Sequence, residues 1–208
     1  MKMPASGLYA ITQTEHKSLD TIVREVTEVL RGGAAVVQYR DKNPADAKAL
    51  GKALLQTCHG HGVPLIINDA VDLAASLGAD GVHLGKDDGE IKRARQLLGA
   101  EAIIGVSCYD SLERAEKAQR QGADYVAFGR FYASGTKPLA APAHIETLRQ
   151  AREKIAVPIV AIGGITPENA EPLLAAGANL LAVVGGVFDR DPKAQAQAFQ
   201  ILFAARKL

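Results

Sequence analysis

Short apolar runs alternate with helix-like segments along the whole chain, and this alternation restricts the fold more than any other feature of the sequence. Such alternation is typical of strand–helix units in a parallel sheet. Eight units without a linker predict a single (β/α)8 barrel over residues 1–208, and glycine-rich loops after the last two strands favour it over an open doubly wound sheet. The first seven strands are predicted at Leu8–Thr12, Val36–Tyr39, Leu65–Ile67, Gly81–Leu84, Ile103–Ser107, Tyr125–Phe128 and Ile159–Ile162, and the eighth lies within Leu173–Phe188.

A weak internal repeat precedes four of these strands. The tripeptides begin at Gly33, Gly78, Gly122 and Gly177, and each reads Gly-Ala followed by Ala, Asp or Asn. Glycine can adopt the left-handed conformation that ends a helix, and alanine allows the next strand to start close by. We therefore expect four helix-to-strand turns at these positions.

Helix starts are predicted from cap residues followed by proline. Asn43-Pro44, Thr166-Pro167 and Asp191-Pro192 fit this pattern, and Asp110 with Glu113 resembles a capping box. A helix over Leu19–Arg31 is predicted from the spacing of its apolar residues.

Charge and cysteine content exclude several classes of protein. The chain has 24 basic and 23 acidic residues, so a broad nucleic-acid surface is not expected. Cys58 and Cys108 lack metal-site spacing and are typical of a reducing, cytoplasmic setting. The apolar stretch Leu173–Phe188 is broken by glycines and is too short for a membrane span. The histidines suggest no catalytic arrangement, and His83, within a strand, is predicted to be a hydrogen-bonded core residue.

The loops that follow barrel strands meet on one face, so residues just after each strand are expected to form a common site. These positions carry cations, acids, hydroxyls and two glycine pairs. They are Gln38, Arg40, Lys42, Asn68, Asp69, Asp87, Asp88, Ser107, the Arg130–Lys137 segment, Gly163-Gly164 and Gly185-Gly186.

The acidic residues at this face suggest a metal site. Asp69 follows strand three and Asp87-Asp88 follow strand four, so the carboxylates would lie side by side. Carboxylate oxygens suit a hard cation such as Mg²⁺. The alternative is that Asp69 caps a helix and that Asp87-Asp88 form a solvated turn.

The cations and glycines suggest two phosphate sites. Gly163-Gly164 are predicted to join a strand to the N-terminus of a helix, beside Gly185-Gly186. The backbone N–H groups of the two glycine pairs would then form a cup for a phosphate. The alternative is that the glycines serve only tight turns. Gln38, Arg40 and Lys42 alternate along one strand, which suits a metal-bound polyphosphate or a salt-bridged strand end. The long loop around Ser134–Pro138 is either a closing loop or an ordinary mobile one.

Six stretches together resemble the thiamine phosphate synthase family. The resemblance implies a (β/α)8 enzyme that joins 4-amino-2-methyl-5-hydroxymethylpyrimidine diphosphate to 4-methyl-5-(2-phosphoethyl)thiazole, releasing diphosphate. The stretches, which span nearly the whole chain, are VQYRDK (Val37–Lys42), LIINDA (Leu65–Ala70), GADGVHLGKDD (Gly78–Asp88), IIGVSC (Ile103–Cys108), GADYVAFGRFYASGTKP (Gly122–Pro138) and IVAIGGIT (Ile159–Thr166).

The resemblance also implies a role for each matching residue. Asp69 and Asp88 would hold Mg²⁺ on the diphosphate. The diphosphate oxygens would be bound by Arg40, Lys42, Asn68 and Lys137. The pyrimidine and its diphosphate would be oriented, or the reaction centre lined, by Gln38, Ser107, Ser134 and Thr136. The thiazole phosphate would be cupped by Gly164 and the Gly185-Gly186 backbone. The residues expected to act on the reacting groups are Arg40, Lys42, Ser107 and Lys137.

Some positions depart from the family pattern. Ala70 replaces an aspartate and Lys86 a glutamine, which makes the metal environment less acidic; Arg130, Ala133 and Gly185 also differ. The alternatives are a thiazole tautomerase of the same fold and a non-catalytic phosphate-ligand binding protein. Self-association is left open, because no interface can be identified from the sequence.

Overall fold

The computed structural model describes residues 1–85, 90–133 and 141–206. Eight parallel strands close into a barrel in chain order, and β8 pairs with β1. This closure confirms the (β/α)8 barrel and excludes the open sheet. The strands are β1 (Gly7–Ile11), β2 (Val36–Tyr39), β3 (Leu65–Asn68), β4 (Gly81–Leu84), β5 (Ile103–Tyr109), β6 (Tyr125–Gly129), β7 (Ile159–Ile162) and β8 (Leu180–Val183).

Helices surround the barrel and follow the strands in alternation. They are α1 (Leu19–Arg31), α2 (Ala47–Gly60), α3 (Val71–Leu77), α4 (Glu90–Leu98), α5 (Leu112–Arg120), α6 (Ile145–Lys154), α7 (Glu171–Ala176), α8 (Gly185–Phe188) and α9 (Pro192–Ala205). Within the described ranges, no helix combines the length and the apolar character needed to cross a membrane.

Two of the three helix starts predicted from a cap residue followed by proline are wrong, while the one at Asp191-Pro192 is confirmed. Helix α2 begins after Asp46, whose carboxylate accepts hydrogen bonds from the Lys48 and Ala49 N–H groups, so Asn43-Pro44 lies in the preceding loop. Helix α7 begins only at Glu171. Before it, the Asn169 side chain bonds the Thr166 N–H and the Gly164 carbonyl and closes a turn instead.

Asp110 does not form the predicted capping box. Ser111 caps α5 by accepting from the Arg114 N–H. The Asp110 carboxylate instead binds the start of α6, where it contacts the His144 N–H at 2.9 Å and the Thr147 hydroxyl at 2.6 Å. This contact connects the end of β5 to the start of α6.

Side chains alternate between two apolar layers along each strand. In β1, Leu8 and Ala10 pack outward against the helices, whereas Tyr9 and Ile11 belong to the smaller cluster inside the barrel. The outer layer is much the larger, since every helix contributes to it. The inward positions near the carboxyl ends of the strands are therefore the ones that can form a site.

The four repeat glycines all adopt positive φ, which confirms the helix-to-strand turns. Their φ values are 98° at Gly33, 64° at Gly78, 92° at Gly122 and 117° at Gly177.

In the last three repeats the third residue also forms two hydrogen bonds to one residue of the preceding strand, an arrangement that we call the strand clamp. Its backbone N–H donates to the carbonyl of a residue at or near the start of the preceding strand, and its side-chain oxygen accepts from that residue's N–H. The pairs are Asp80 with Leu65, Asp124 with Ile104 and Asn179 with Ile159, with side-chain bonds of 2.9, 2.7 and 2.8 Å.

Replacing Asp124 by alanine is expected to lower the free energy of unfolding by about 1–3 kcal/mol, because the buried Ile104 N–H would lose its partner. The Asp124→Asn variant should lose less, since an amide oxygen can still accept, as Asn179 does in the last repeat. The Asp124→Asn variant also removes the carboxylate charge that pairs with Arg95 at 2.8 Å. Urea unfolding of both variants tests this, and equal losses would contradict the clamp.

The Asp80 carboxyl leads to a prediction of how the stability of the fold depends on pH. Burial alone would raise the pKa of this carboxyl, but hydrogen bonds from the Leu65 N–H and the His59 ring outweigh it and hold the pKa below its usual 3.8. A carboxyl whose pKa is lower in the folded chain than in the unfolded chain stabilises the fold at any pH above its unfolded pKa. This stabilisation is lost as the pH falls through the pKa of the folded chain. The stability difference between wild type and Asp80→Asn should therefore shrink below about pH 4. Urea unfolding at a series of pH values measures it; a difference that grew on acidification would contradict the pKa direction.

Candidate active site

The predicted site residues that the structure describes lie at or near the carboxyl ends of the strands. They are Gln38, Arg40, Lys42, Asn68, Asp69, Ser107, Arg130 to Ala133, Gly163, Gly164, Gly185 and Gly186. The predicted site residues Asp87, Asp88, Ser134, Thr136 and Lys137 lie outside the described residues, as does Lys86, which departs from the family pattern.

Asp69 has an unusual backbone. Its φ is +60°, a region that costs most non-glycine residues about 1–3 kcal/mol and that aspartate tolerates better than most. The Asp69 N–H donates to the carbonyl of His83 on the neighbouring strand at 2.8 Å. Its carboxylate accepts from the Asn68 amide at 2.7 Å. The N-cap of α3 is Ala70, without a side-chain cap bond, so the alternative that Asp69 caps this helix is wrong.

The Asp69 carboxylate lies near the end of β4. A Cβ atom built on Gly85 would stand 3.5 Å from Asp69 Oδ1, and Gly85 leads directly into the 86–89 segment. In the part of the chain that the structure describes, no group of three or more His, Cys, Asp or Glu side chains could hold a metal. Mg²⁺ does not need such a group, because it is usually bound through one or two carboxylates together with substrate phosphates. The single carboxylate of Asp69 therefore fits Mg²⁺ held jointly with a phosphorylated ligand.

The three residues predicted to share one side of β2 occupy different environments. Gln38 is inside the barrel and only 3% exposed, whereas Lys42 is exposed. Strand β2 ends at Tyr39, so its alternation does not continue to Arg40 and Lys42. The Arg40 backbone is held by Thr12, whose hydroxyl donates to the Arg40 carbonyl and accepts from its N–H, at 3.0 and 2.9 Å.

Beneath the mouth, five side chains form a continuous set of hydrogen bonds, which we call the floor network. It runs from Gln38 through Tyr9, Tyr125 and His83 to Ser107. Successive contacts join Gln38 Nε2 to Tyr9 Oη at 2.9 Å, the two tyrosine oxygens at 2.7 Å, Tyr125 Oη to His83 Nδ1 at 2.9 Å and His83 Nε2 to Ser107 Oγ at 2.9 Å. The prediction that His83 is hydrogen-bonded is confirmed, but the residue is half-buried and not part of the buried core, and the sequence did not reveal that it connects to Ser107.

Gly105 makes room for this network. Strand register places it between His83 and Tyr125, on the strands on either side. A Cβ atom at position 105 would overlap the Tyr125 ring, so the ring crosses β5 directly over the glycine. The Tyr125 ring then stacks on the His83 imidazole, with centroids 5.6 Å apart and planes 20° apart.

The two glycine pairs have tight surroundings. Gly163 and Gly164 have φ values of 109° and 62°, and a Cβ on Gly164 would overlap the Ala133 carbonyl. A Cβ on Gly186 would overlap the Ile165 carbonyl, which brings the loops after β7 and β8 together. Contrary to prediction, Gly163-Gly164 do not open a helix, because α7 starts at Glu171. Gly185 instead begins the four-residue helix α8.

Comparisons with known proteins agree on one family. A family described as thiamine monophosphate synthase matches residues 8–187. A thiamine-phosphate synthase from Marinobacter nauticus is 52% identical over 203 residues, covering 95% of this chain and 91% of the relative. Another, from Nitrosococcus oceani, is 48% identical over 211 residues and covers 100% and 97%. The solved structure of thiamine phosphate pyrophosphorylase from Pyrococcus furiosus superposes with a TM-score of 0.86 at 33% identity, covering 97% of this chain and 96% of that one.

Proposed function

Since the chain belongs to the thiamine monophosphate synthase family and is a transferase that forms thiamine phosphate, we propose that it does so by a magnesium-assisted dissociative substitution at the barrel mouth. The pyrimidine diphosphate loses diphosphate from its methylene carbon, and the thiazole nitrogen then bonds to that carbon. The alternatives, a thiazole tautomerase or a non-catalytic binding protein, find no support in the relatives described above, which are named as synthases.

Asp69 and Asp88 would hold Mg²⁺ on the diphosphate. The observation that carries this proposal is the Asp69 carboxylate, which sits at the mouth on a left-handed backbone and has no capping role. Bound Mg²⁺ would neutralise charge on the diphosphate oxygens as they depart. Asn68 keeps one carboxylate oxygen of Asp69 oriented through its 2.7 Å hydrogen bond.

Cationic side chains would stabilise the same departing charge. Arg40, Lys42 and Lys137 supply three positive charges, and Thr12 fixes the backbone from which Arg40 extends. The electron-rich aminopyrimidine can stabilise positive charge on its methylene carbon, and the thiazole nitrogen carries no proton. Positioning and charge stabilisation therefore suffice, without a general base.

The remaining residues would hold the two organic groups. Ser107 and Gln38 would orient the pyrimidine and its diphosphate from below, together with Ser134 and Thr136 from the loop after β6. The backbone at Gly164 and at Gly185-Gly186 would bind the thiazole phosphate. The close contact between the loops after β7 and β8, which the glycines permit, supports a common phosphate site there.

The mechanism is tested with both substrates and Mg²⁺, following thiamine phosphate and diphosphate together. An electron-withdrawing substituent on the pyrimidine should slow turnover strongly, because it destabilises the carbocation. A rate insensitive to that substituent would overturn the dissociative mechanism but not the overall reaction. Removal of Mg²⁺ by a chelator should abolish turnover and should be reversed by adding Mg²⁺ in excess.

A cytoplasmic location is also proposed, in keeping with the state of the cysteines. Cys58 and Cys108 are both buried and unpaired. Burial raises the pKa of each thiol to about 12, so neither is a reactive thiolate at neutral pH.

A further inference from the structure

The floor network contains three residues to which the proposed mechanism gives no task. Tyr9, Tyr125 and His83 lie below Ser107 and Gln38, which would contact the pyrimidine substrate. The two tyrosines are 1% exposed or less, so solvent cannot satisfy their hydroxyl groups. Each tyrosine hydroxyl hydrogen therefore needs an acceptor among the protein groups that it contacts.

This requirement fixes the direction of the hydrogen bonds. The Gln38 amide N–H can only donate, so Tyr9 Oη accepts from it. If Tyr125 also donated to Tyr9, the Tyr9 hydroxyl hydrogen would have no acceptor among its described contacts. Tyr9 therefore donates to Tyr125, and Tyr125 donates to His83 Nδ1. The imidazole then carries its hydrogen on Nε2 and donates it to Ser107 Oγ.

Both tyrosines keep their hydrogens. Burial raises the pKa of Tyr9 and of Tyr125 above the usual value near 10. Each phenol therefore keeps its hydrogen at neutral pH and supplies one donor to the network.

We propose that His83 is a positioning residue, held in its Nε2–H tautomer by Tyr125, which makes Ser107 a hydrogen-bond donor toward the barrel mouth. The Ser107 oxygen accepts from the imidazole, so its own hydrogen points to substrate. This role rests on the proposed function, in which Ser107 faces the pyrimidine diphosphate. No proton is transferred along the network.

The direction matters for the reaction. A serine hydroxyl can otherwise rotate and present either its hydrogen or a lone pair. A donor fixed before substrate arrives can stabilise negative charge that develops on the departing diphosphate without reorganisation. In the opposite direction, Ser107 would donate to His83 and present only lone pairs to an anionic substrate.

The tautomer is measured directly by nitrogen-15 NMR of the histidine ring nitrogens in the wild-type protein. The expected spectrum shows His83 with unprotonated Nδ1 and protonated Nε2. A Tyr125→Phe variant removes the donor to Nδ1 and should show a mixture of tautomers. A hydrogen found on Nδ1 in the wild type would overturn the proposal, and this result does not depend on catalysis.

Kinetics test whether His83 acts through Ser107. Ser107→Ala and His83→Asn are each expected to lower kcat by roughly tenfold to a hundredfold, with smaller changes in KM, a range seen when groups supporting a site residue are removed. The double variant should be no slower than Ser107→Ala alone. His83→Gln, whose amide can reach the position of Nε2, should restore part of the rate. A further loss in the double variant would indicate a general structural role and overturn the proposal.

A matched control is His59→Asn, which replaces a histidine that contacts Asp80, before β4, at 2.8 Å. Its kcat should stay at the wild-type value. If wild type itself made no thiamine phosphate, the proposed function would fail while the NMR result still decided the tautomer. Thermal unfolding of each variant shows whether it is folded. If His83→Asn does not fold, the nitrogen-15 NMR spectrum of the wild-type protein still decides the tautomer.

Discussion

Replacing Asp69 by asparagine is expected to lower kcat for thiamine phosphate formation by at least about a hundredfold. A metal ion at the reacting phosphates contributes several kcal/mol, and each 1.4 kcal/mol is about tenfold in rate. Asparagine tolerates the left-handed backbone at this position, where φ is +60°. The variant should therefore remain folded, and the lost rate would reflect the lost charge. Steady-state kinetics over a range of Mg²⁺ concentrations provide the measurement.

The matched control for Asp69 is Asp72→Asn. Asp72 lies three residues further on in α3, and its exposed side chain pairs with Arg93 at 2.7 Å. Exposed ion pairs contribute little to stability, so both kcat and the Mg²⁺ requirement should be unchanged. An Asp69→Asn enzyme with wild-type kcat and Mg²⁺ dependence would contradict the metal assignment.

The second large effect is expected from Gly105→Ala, which should lower the free energy of unfolding by about 1–3 kcal/mol or more. The new methyl group would overlap the Tyr125 ring, which is fully buried, so the ring or the strand would have to shift within the core. Displacement of the ring would also separate Tyr125 from His83 and slow turnover. Urea unfolding and steady-state kinetics measure the two effects.

Two further variants isolate the cause of the Gly105 effect. Gly60→Ala adds the same methyl group at the end of α2, where no atom lies within 4 Å, and should leave stability unchanged or slightly raised, since alanine favours a helix. In a Tyr125→Ala background, Gly105→Ala should cost much less, because the overlapping ring is gone. An equal cost in both backgrounds would contradict the overlap as the cause.

The strands could be predicted closely because their apolar runs are short and clearly bounded. Val36–Tyr39, Gly81–Leu84 and Ile159–Ile162 have the same limits in sequence and structure. Helix starts were less predictable, since several nearby residues could serve as the cap. Asp46 competes with Asn43, and Asn169 uses its side chain to close a turn where Thr166-Pro167 suggested a helix.

The site was predictable where it depends on one strand end and less so where it depends on several strands. Asp69 follows β3 directly, so its position at the mouth could be inferred from local sequence. The floor network brings together residues from β1, β2, β4, β5 and β6, and no spacing in the sequence encodes those contacts. A usable signal existed: tyrosine and histidine at inward-facing positions of a predicted barrel need hydrogen-bond partners there.

The strand clamps divide the barrel into pairs. Side-chain clamps join β3 to β4, β5 to β6 and β7 to β8, whereas Ala35, at the matching position before β2, offers only its backbone N–H to Leu8. The barrel thus consists of three two-strand modules that are each reinforced by a side-chain clamp, and of the β1–β2 pair, which lacks one. Chain breaks placed between modules would leave every clamp within a single fragment, which makes those loops the natural sites for circular permutation or for reassembling the barrel from separate pieces.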